Sequence, residues 1–316
     1  MSLESLPIEL VVQILSIALD VHPTPSNILC VHSRWHNALA PVLHAHIRLG
    51  SLLQLYRFGK VRKLSCVPKS FSLRLPGGAV HFPDTTRTEM PAVIVGRRYS
   101  QSDADLTKGE WIRRKIVDGG GVWGCLRSAL SVCPRVERVS LQLHSFLSDP
   151  DLPKLTGALS VINPIAFNWN GPDPEHHLSV AIVPRAAEYF FRATKSWSRL
   201  ESLRLANICF PMPPFPCVLT NAFAFQSHPM LRTIHFCQAV FVSPGAICGL
   251  IMNIPSLQRL ALEDAYLGGI WEARLRFADV ADTLKHLDER DPRRERIVQV
   301  LECTVRLERI VGGDRG

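Results

Sequence analysis

The chain has 316 residues, of which 47% are hydrophobic and 20% charged, with a net charge of +8. That balance excludes a disordered chain and leaves room for one large or two ordinary domains. Nine cysteines, an odd number with no CxxC pair, argue against a disulfide framework and for reduced thiols in cytosol or nucleus. No apolar run reaches the length of a membrane span. The N-terminus lacks a basic segment and contains Glu4, Glu9, Gln13 and Asp20, so it does not read as a signal peptide.

The first predicted helix starts at Pro7, where a missing N–H costs nothing, with Glu9 in the first turn favoured by the helix dipole. Leu6, Leu10, Ile14 and Ile17 recur at helical spacing, and Val11, Leu15 and Ala18 widen the stripe. Asp20 and His22-Pro23 end it. A second start follows at Thr24-Pro25, and Ile28, Leu29, Val31, Trp35 and Leu39 carry a second apolar face. Two or three helices in so short a stretch bury too little to be stable alone. Such a unit packs on the rest of the chain or completes its core with a partner.

These residues carry a resemblance. Leu6, Pro7, Glu9, Leu10, Ile14 and Leu15, followed by Val31, Trp35 and Leu39 in a V-x3-W-x3-L frame, resemble an F-box. The layout of the whole chain is similar to F-box proteins common in mushroom-forming fungi, through VHPTPSNILCV, FNWNGPDPEHH, DAYLGGIW and the VGGDR end. The resemblance implies a non-catalytic adaptor of an SCF-type ubiquitin ligase. Leu6, Pro7, Leu10, Val11, Ile14, Leu15, Val31, Trp35 and Leu39 would bind a Skp-type adaptor and through it a cullin-RING ligase. The rest of the chain would hold an unknown protein target. The alternative from the residues alone is an amphipathic hairpin that caps a larger domain.

Domain boundaries are expected at 1–45 for the helical unit and 46–316 for the remainder. Ile47 and Leu49 alternate, Leu52 to Phe58 suggests a short helix, and Val61 to Cys66 and Phe71 to Leu75 suggest strands. Pro83 to Lys108 is polar and weakly periodic, a long loop or insert.

A repeat then emerges. PRVERVSL, SRLESLRL, PMLRTIHF and PSLQRLAL each carry an apolar residue followed three and five positions later by another, the LxxLxL frame of a leucine-rich repeat. Val136, Leu200, Leu231 and Leu257 are 64, 31 and 26 residues apart, and the first gap fits two units. Ile165, Phe167 and Trp169 alternate where the missing strand falls, and Leu307 with Ile310 suggests another. Helix-like stretches intervene at Cys125 to Val132, Ala186 to Lys195, Val218 to Phe225 and Gly245 to Met252. The expected fold is therefore α/β: a small helical F-box followed by an irregular leucine-rich-repeat-like solenoid with parallel strands. A non-repeating α/β domain is the alternative.

In such a solenoid the residues between the inward positions line a concave face. These are Arg138, Ser140 and Gln142; Ser202, Arg204 and Ala206; Thr233, His235 and Cys237; and Arg259, Ala261 and Glu263. Arg138, Arg204, His235 and Arg259 make it mildly basic and are the candidate contacts for an acidic or phosphorylated target segment. The same arginines also fit a merely solvated surface.

Other motifs carry less. Gly119 to Gly124 matches GxGxxG, but Arg113, Arg114 and Lys115 precede it where a buried strand should stand, so a glycine turn before a helix is the better reading. His32 and His36, and Glu175-His176-His177, lack zinc-ligand spacing, and no metal or cofactor is expected. FPMPPFP, from Phe210 to Pro216, reads as a stiff connector. Lys285 to Arg296 interleaves opposite charges and reads as a solvated helix or loop. The basic residues are dispersed without a nucleic-acid motif, so neither nucleic acid nor membrane is an expected partner.

Overall fold

The computed structural model describes residues 6–21, 32–62, 64, 66–75, 114–172, 179–211, 228–285, 288 and 291–306. The expectations at Thr24-Pro25, Val31, the Pro83 to Lys108 segment, the GPDPEHH histidines, the Val218 to Phe225 helix, most of FPMPPFP and Leu307 onward lie outside them.

One sheet organises the chain. Its strands are β1 (His46–Leu49), β2 (Ser70–Arg74), β3 (Arg138–Gln142), β4 (Ala166–Asn170), β5 (Ser202–Ala206), β6 (Thr233–Cys237), β7 (Arg259–Glu263) and β8 (Leu301–Thr304). All eight are parallel and ordered as in sequence. Parallel neighbours require a crossover between each pair, and helices fill most of these. They are α3 (Leu52–Phe58), α4 (Gly121–Val132), α5 (Lys154–Leu159), α6 (Pro184–Thr194), α7 (Pro244–Asn253), α8 (Phe277–Ala281) and α9 (Pro292–Val300). Their starts follow the local chemistry. Ser51 and Ser243 cap α3 and α7 by accepting from Gln54 N and Ala246 N, and Asp291 caps α9 by accepting from Arg293 N. Proline occupies the first turn of α6, α7 and α9.

The repeat frame becomes a hydrogen-bonding frame. At the starts of β2 to β7, two consecutive amides share one carbonyl of the preceding unit. Arg138 N and Glu137 N donate to Lys69 O, Ala166 N and Ile165 N to Glu137 O, and Ser202 N and Glu201 N to Ile165 O. The pattern continues through Thr233 and Arg232 on Glu201 O, and Arg259 and Gln258 on Arg232 O. Beyond the strand ends, Asn207, Gln238 and Asp264 take left-handed conformations, with φ of 58°, 50° and 51°. Each donates its amide to the last residue of the next strand: Cys237, Glu263 and Thr304.

Inward positions stack in two columns. One runs Ile47, Phe71, Val139, Phe167, Leu203, Ile234, Leu260, Leu301, and the other Leu49, Leu73, Leu141, Trp169, Leu205, Phe236, Leu262, Cys303. Val136, Leu200, Leu231 and Leu257, the first apolar residue of each frame, are also buried. Phe167, Trp169, Phe190 and Trp197 form an aromatic cluster, with ring centroids 4.9 to 6.0 Å apart where they meet.

The degenerate strand at Phe167 and Trp169 is therefore β4, in register with β3 and β5. One expectation is corrected. Among the described residues from Val61 to Cys66 none is in a strand, because α3 ends in a turn at Gly59 and Lys60. An eighth strand that the repeat frame did not mark, Leu301–Thr304, follows α9 directly at its C-cap Leu301.

The N-terminal unit contains α1 (Ile8–Val21) and α2 (Ser33–His44). Val11, Leu15 and Leu39 are its buried centre, with Leu6, Ile8, Val12, Trp35 and Val42 packed around them. This cluster is separate from the core of the sheet, which includes Ile47 onward. The two are nevertheless joined: Ala45 O, one residue past α2, accepts from Lys69 N and Ser70 N at the start of β2. Cys66 Sγ also donates to Pro41 O at 3.1 Å.

Candidate functional site

Two surfaces carry the partner contacts expected from the sequence: one side of α1 and the face of the sheet opposite its inward columns.

The α1 residues divide by helical phase. Val11 and Leu15 face Leu39 of α2 and are buried. Leu10, Ile14 and Ile17, spaced four and three apart, are 46%, 45% and 69% exposed. With exposed Pro7 they make an apolar stripe that nothing among the described residues covers. Of the nine residues expected to meet an adaptor, Pro7, Leu10 and Ile14 are thus on the open side. Val11, Leu15 and Leu39 hold the two helices together, and Leu6 and Trp35 are half-buried around them. Val31 lies outside the described residues.

The sheet face opposite the inward columns, the one expected to be concave, follows the period-two reading. Its first rung runs Ser70, Arg138, Ala166, Ser202, Thr233, Arg259. The second runs Arg48, Ser72, Ser140, Asn168, Arg204, His235, Ala261, Glu302. The third runs Arg74, Gln142, Asn170 and, from β5 on, Ala206, Cys237, Glu263, Thr304. A groove of about 300 Å³ lies over β2 to β5, with Ser72, Arg138, Ser140, Asn168, Ser202 and Arg204 along it.

The four candidate target contacts do not form one cationic patch. Arg259 donates through Nε and Nη2 to Glu302 Oε2 at 2.9 and 2.7 Å, so its charge is already matched by a carboxylate on β8. His235 Nε2 lies 3.0 Å from Glu263 Oε2. Arg138 and Arg204 remain, both on the groove. Glu302 was not among the sequence candidates because Leu301 to Thr304 carries no complete repeat frame.

Around His235 the electrostatics are mixed. Burial, with the nearby Arg204 guanidinium acting in the same direction, holds its pKa below the ordinary histidine value, while Glu263 opposes this. Burial pushes the neighbouring Cys237 thiol up to about 12, and Glu263 adds to the effect. Glu263 is in turn approached by Arg306 Nη1 at 3.4 Å.

The glycine motif serves a turn. Gly120 and Gly121 have φ of 93° and 63° at the start of α4, where a side chain would be strained. A Cβ on Gly124 would lie 1.9 Å from Gly119 O, so this glycine admits a carbonyl, not a nucleotide phosphate. No strand precedes α4 at the position a dinucleotide fold would need among the described residues.

Comparison with models of protein families and with curated proteins returns no match to this chain. No helix among the described residues is long and apolar enough to cross a membrane.

Proposed function

We propose that the chain is a non-catalytic substrate-recognition adaptor of an SCF-type ubiquitin ligase. The helical pair docks a Skp-type adaptor, and through it a cullin-RING ligase, while the concave face of the sheet holds a target protein. One observation carries the reading: α1 belongs to a small unit with its own core, and among the described residues it leaves Leu10, Ile14 and Ile17 exposed. Those side chains are the anchors an amphipathic helix presents to an apolar partner groove. Seven cysteines among the described residues are free, which supports a reducing cytoplasmic or nuclear setting.

The mechanism is proximity. Two binding faces on one body raise the local concentration of the target's lysines near a charged ubiquitin enzyme supplied by other subunits. On the target side, the groove between Arg138 and Arg204, with its serine hydroxyls and Asn168, suits an acidic or phosphorylated segment.

A second reading has an observation of its own. The helical pair adjoins the β1 edge and is hydrogen-bonded to the start of β2 through Ala45 O. A leucine-rich scaffold with a helical cap and no ubiquitin role would be built in the same place. Co-purification of the full chain with a Skp-type adaptor separates the two. Leu10→Asp should abolish adaptor retention while circular dichroism and melting stay as in the wild type. Failure of the folded wild type to retain any adaptor refutes the ligase reading, and unfolding of the Leu10→Asp protein favours the cap.

A further inference from the structure

Within the concave face, β6 and β7 bring three metal-ligating side chains together. His235 and Cys237 are two apart on β6 and so project from the same side of the sheet. Cys237 pairs in register with Glu263 of β7. The ligand atoms of His235, Cys237 and Glu263 all lie within 4.8 Å of one another. Among the described residues this is the one such convergence of three.

We propose that His235, Cys237 and Glu263 form a binding site for a single Zn²⁺ ion. The donor set is one imidazole nitrogen, one thiolate and one carboxylate oxygen, the three ligand types zinc accepts. Zinc–ligand distances of about 2.0–2.3 Å put tetrahedral neighbours roughly 3.3–3.7 Å apart. The 3.0 Å separation of His235 Nε2 and Glu263 Oε2 is already near that spacing, and side-chain rotation brings in the thiol. The register leaves room: Ala261 stands beside His235 and Ala206 beside Cys237. Arg306 holds the far oxygen of Glu263 at 3.4 Å, an outer contact that orients the carboxylate.

The balance of the step is simple. Glu263 binds as the carboxylate and His235 as the neutral ring through Nε2, with Nδ1 carrying the hydrogen. Cys237 loses its thiol proton to solvent as the S–Zn bond forms, so one proton leaves per ion. Zinc with one thiolate and one carboxylate is neutral, and Arg204 and Arg306 add positive charge nearby. The fourth position opens on the concave surface and takes water or an anionic group of whatever lies there. This site does not depend on the ubiquitin-ligase reading and fits the scaffold reading equally.

The test uses the purified full-length chain with Co²⁺ and Zn²⁺ as the only probes. Co²⁺ should give a thiolate-to-cobalt charge-transfer band in the near ultraviolet and tetrahedral visible bands, displaced by one equivalent of Zn²⁺. Cys237→Ser should remove the charge-transfer band. His235→Gln and Glu263→Gln should each weaken Zn²⁺ binding at least tenfold in a chelator competition. Cys303→Ser, a thiol outside the triad, should bind as the wild type does. Absence of the band in the wild-type protein, its persistence in Cys237→Ser, or unchanged Zn²⁺ affinity in both His235→Gln and Glu263→Gln overturns the proposal. If Cys237→Ser does not fold, the two glutamine variants decide.

Discussion

Arg296 is a charged residue whose loss should be felt in the stability of the sheet domain. It stands in α9, in the stretch whose interleaved charges read as solvated, yet its guanidinium reaches the end of α7. Nε meets Ile251 O at 3.3 Å, and Nη2 meets the carbonyls of Ile254, Pro255 and Leu257 at 2.9, 3.0 and 3.2 Å. The carbonyls in the last turn of a helix have no intrahelical partner, and the helix dipole concentrates negative charge there. Nε carries one hydrogen and Nη2 two, so three protons serve four carbonyls. At about 1.5–3 kcal/mol per charged hydrogen bond, three would give an upper bound of roughly 5–9 kcal/mol. Two of the contacts are long, the group is half-buried, and ordering an arginine costs up to about 2 kcal/mol. Arg296→Met keeps the apolar stem and should therefore cost about 2–4 kcal/mol, a fall in Tm of roughly 4–7 °C for a domain of this size. Arg296→Lys keeps the charge but not the fork, and should recover about half of the loss. Thermal and urea unfolding followed by circular dichroism measure both. A methionine variant as stable as the wild type, or a lysine variant no better than methionine, refutes this account of the α7–α9 junction.

Two other outcomes follow from the geometry. Gly124→Ala should destabilise the protein by about 3 kcal/mol or more, because a Cβ 1.9 Å from Gly119 O cannot be accommodated without moving the turn; an unchanged Tm would contradict this. Stability should fall as pH drops below about 6.5, the ordinary histidine value, because burial lowers the pKa of His228, whose Nδ1 donates to Trp197 O at 2.8 Å. The unfolded chain then takes up a proton that the folded chain refuses, and the loss continues until pH reaches the lowered folded value. His235, with its pKa also held down by burial and Arg204, acts in the same direction. Tm measured from pH 7 to pH 5 should decline less steeply in His228→Gln than in the wild type, and equal slopes would refute the assignment.

The sheet was legible in the sequence where the frame was complete. An apolar residue followed three and five places later marks a buried turn residue and two inward strand positions, and all four complete frames became strands in register. Phe167 and Trp169 marked β4 because large alternating aromatics leave little choice of face. β8 was hidden because a helix runs straight into it, so Leu301 and Cys303 have no preceding turn signal. The missing signal also hid Glu302 and with it the pairing of Arg259. Sequence could place His235 and Cys237 on one face, but Glu263 is 28 residues from His235, and only strand pairing brings them together. Arg296 was obscured for a different reason: charge pattern reports which residues could be solvated, not which one a neighbouring helix end recruits.

The N-terminal helices pose the harder question, and their packing narrows it. The described residues of the helical pair bury Val11, Leu15, Leu39 and Ala40, a small core, and the pair is attached directly to the sheet. α2 passes into β1 through the single residue Ala45, whose carbonyl also receives Lys69 N and Ser70 N. A junction this short is not a flexible tether. If α1 docks a partner, the direction in which the concave face presents its target is then set by the fold and not by a linker's length, which is the condition under which two binding faces raise local concentration most. A pure cap needs the same junction but has no use for an uncovered row of Leu10, Ile14 and Ile17 along α1. A cap hides apolar surface at the end of a solenoid, and here Val11 and Leu15 are hidden against α2, while among the described residues Leu10, Ile14 and Ile17 stay exposed.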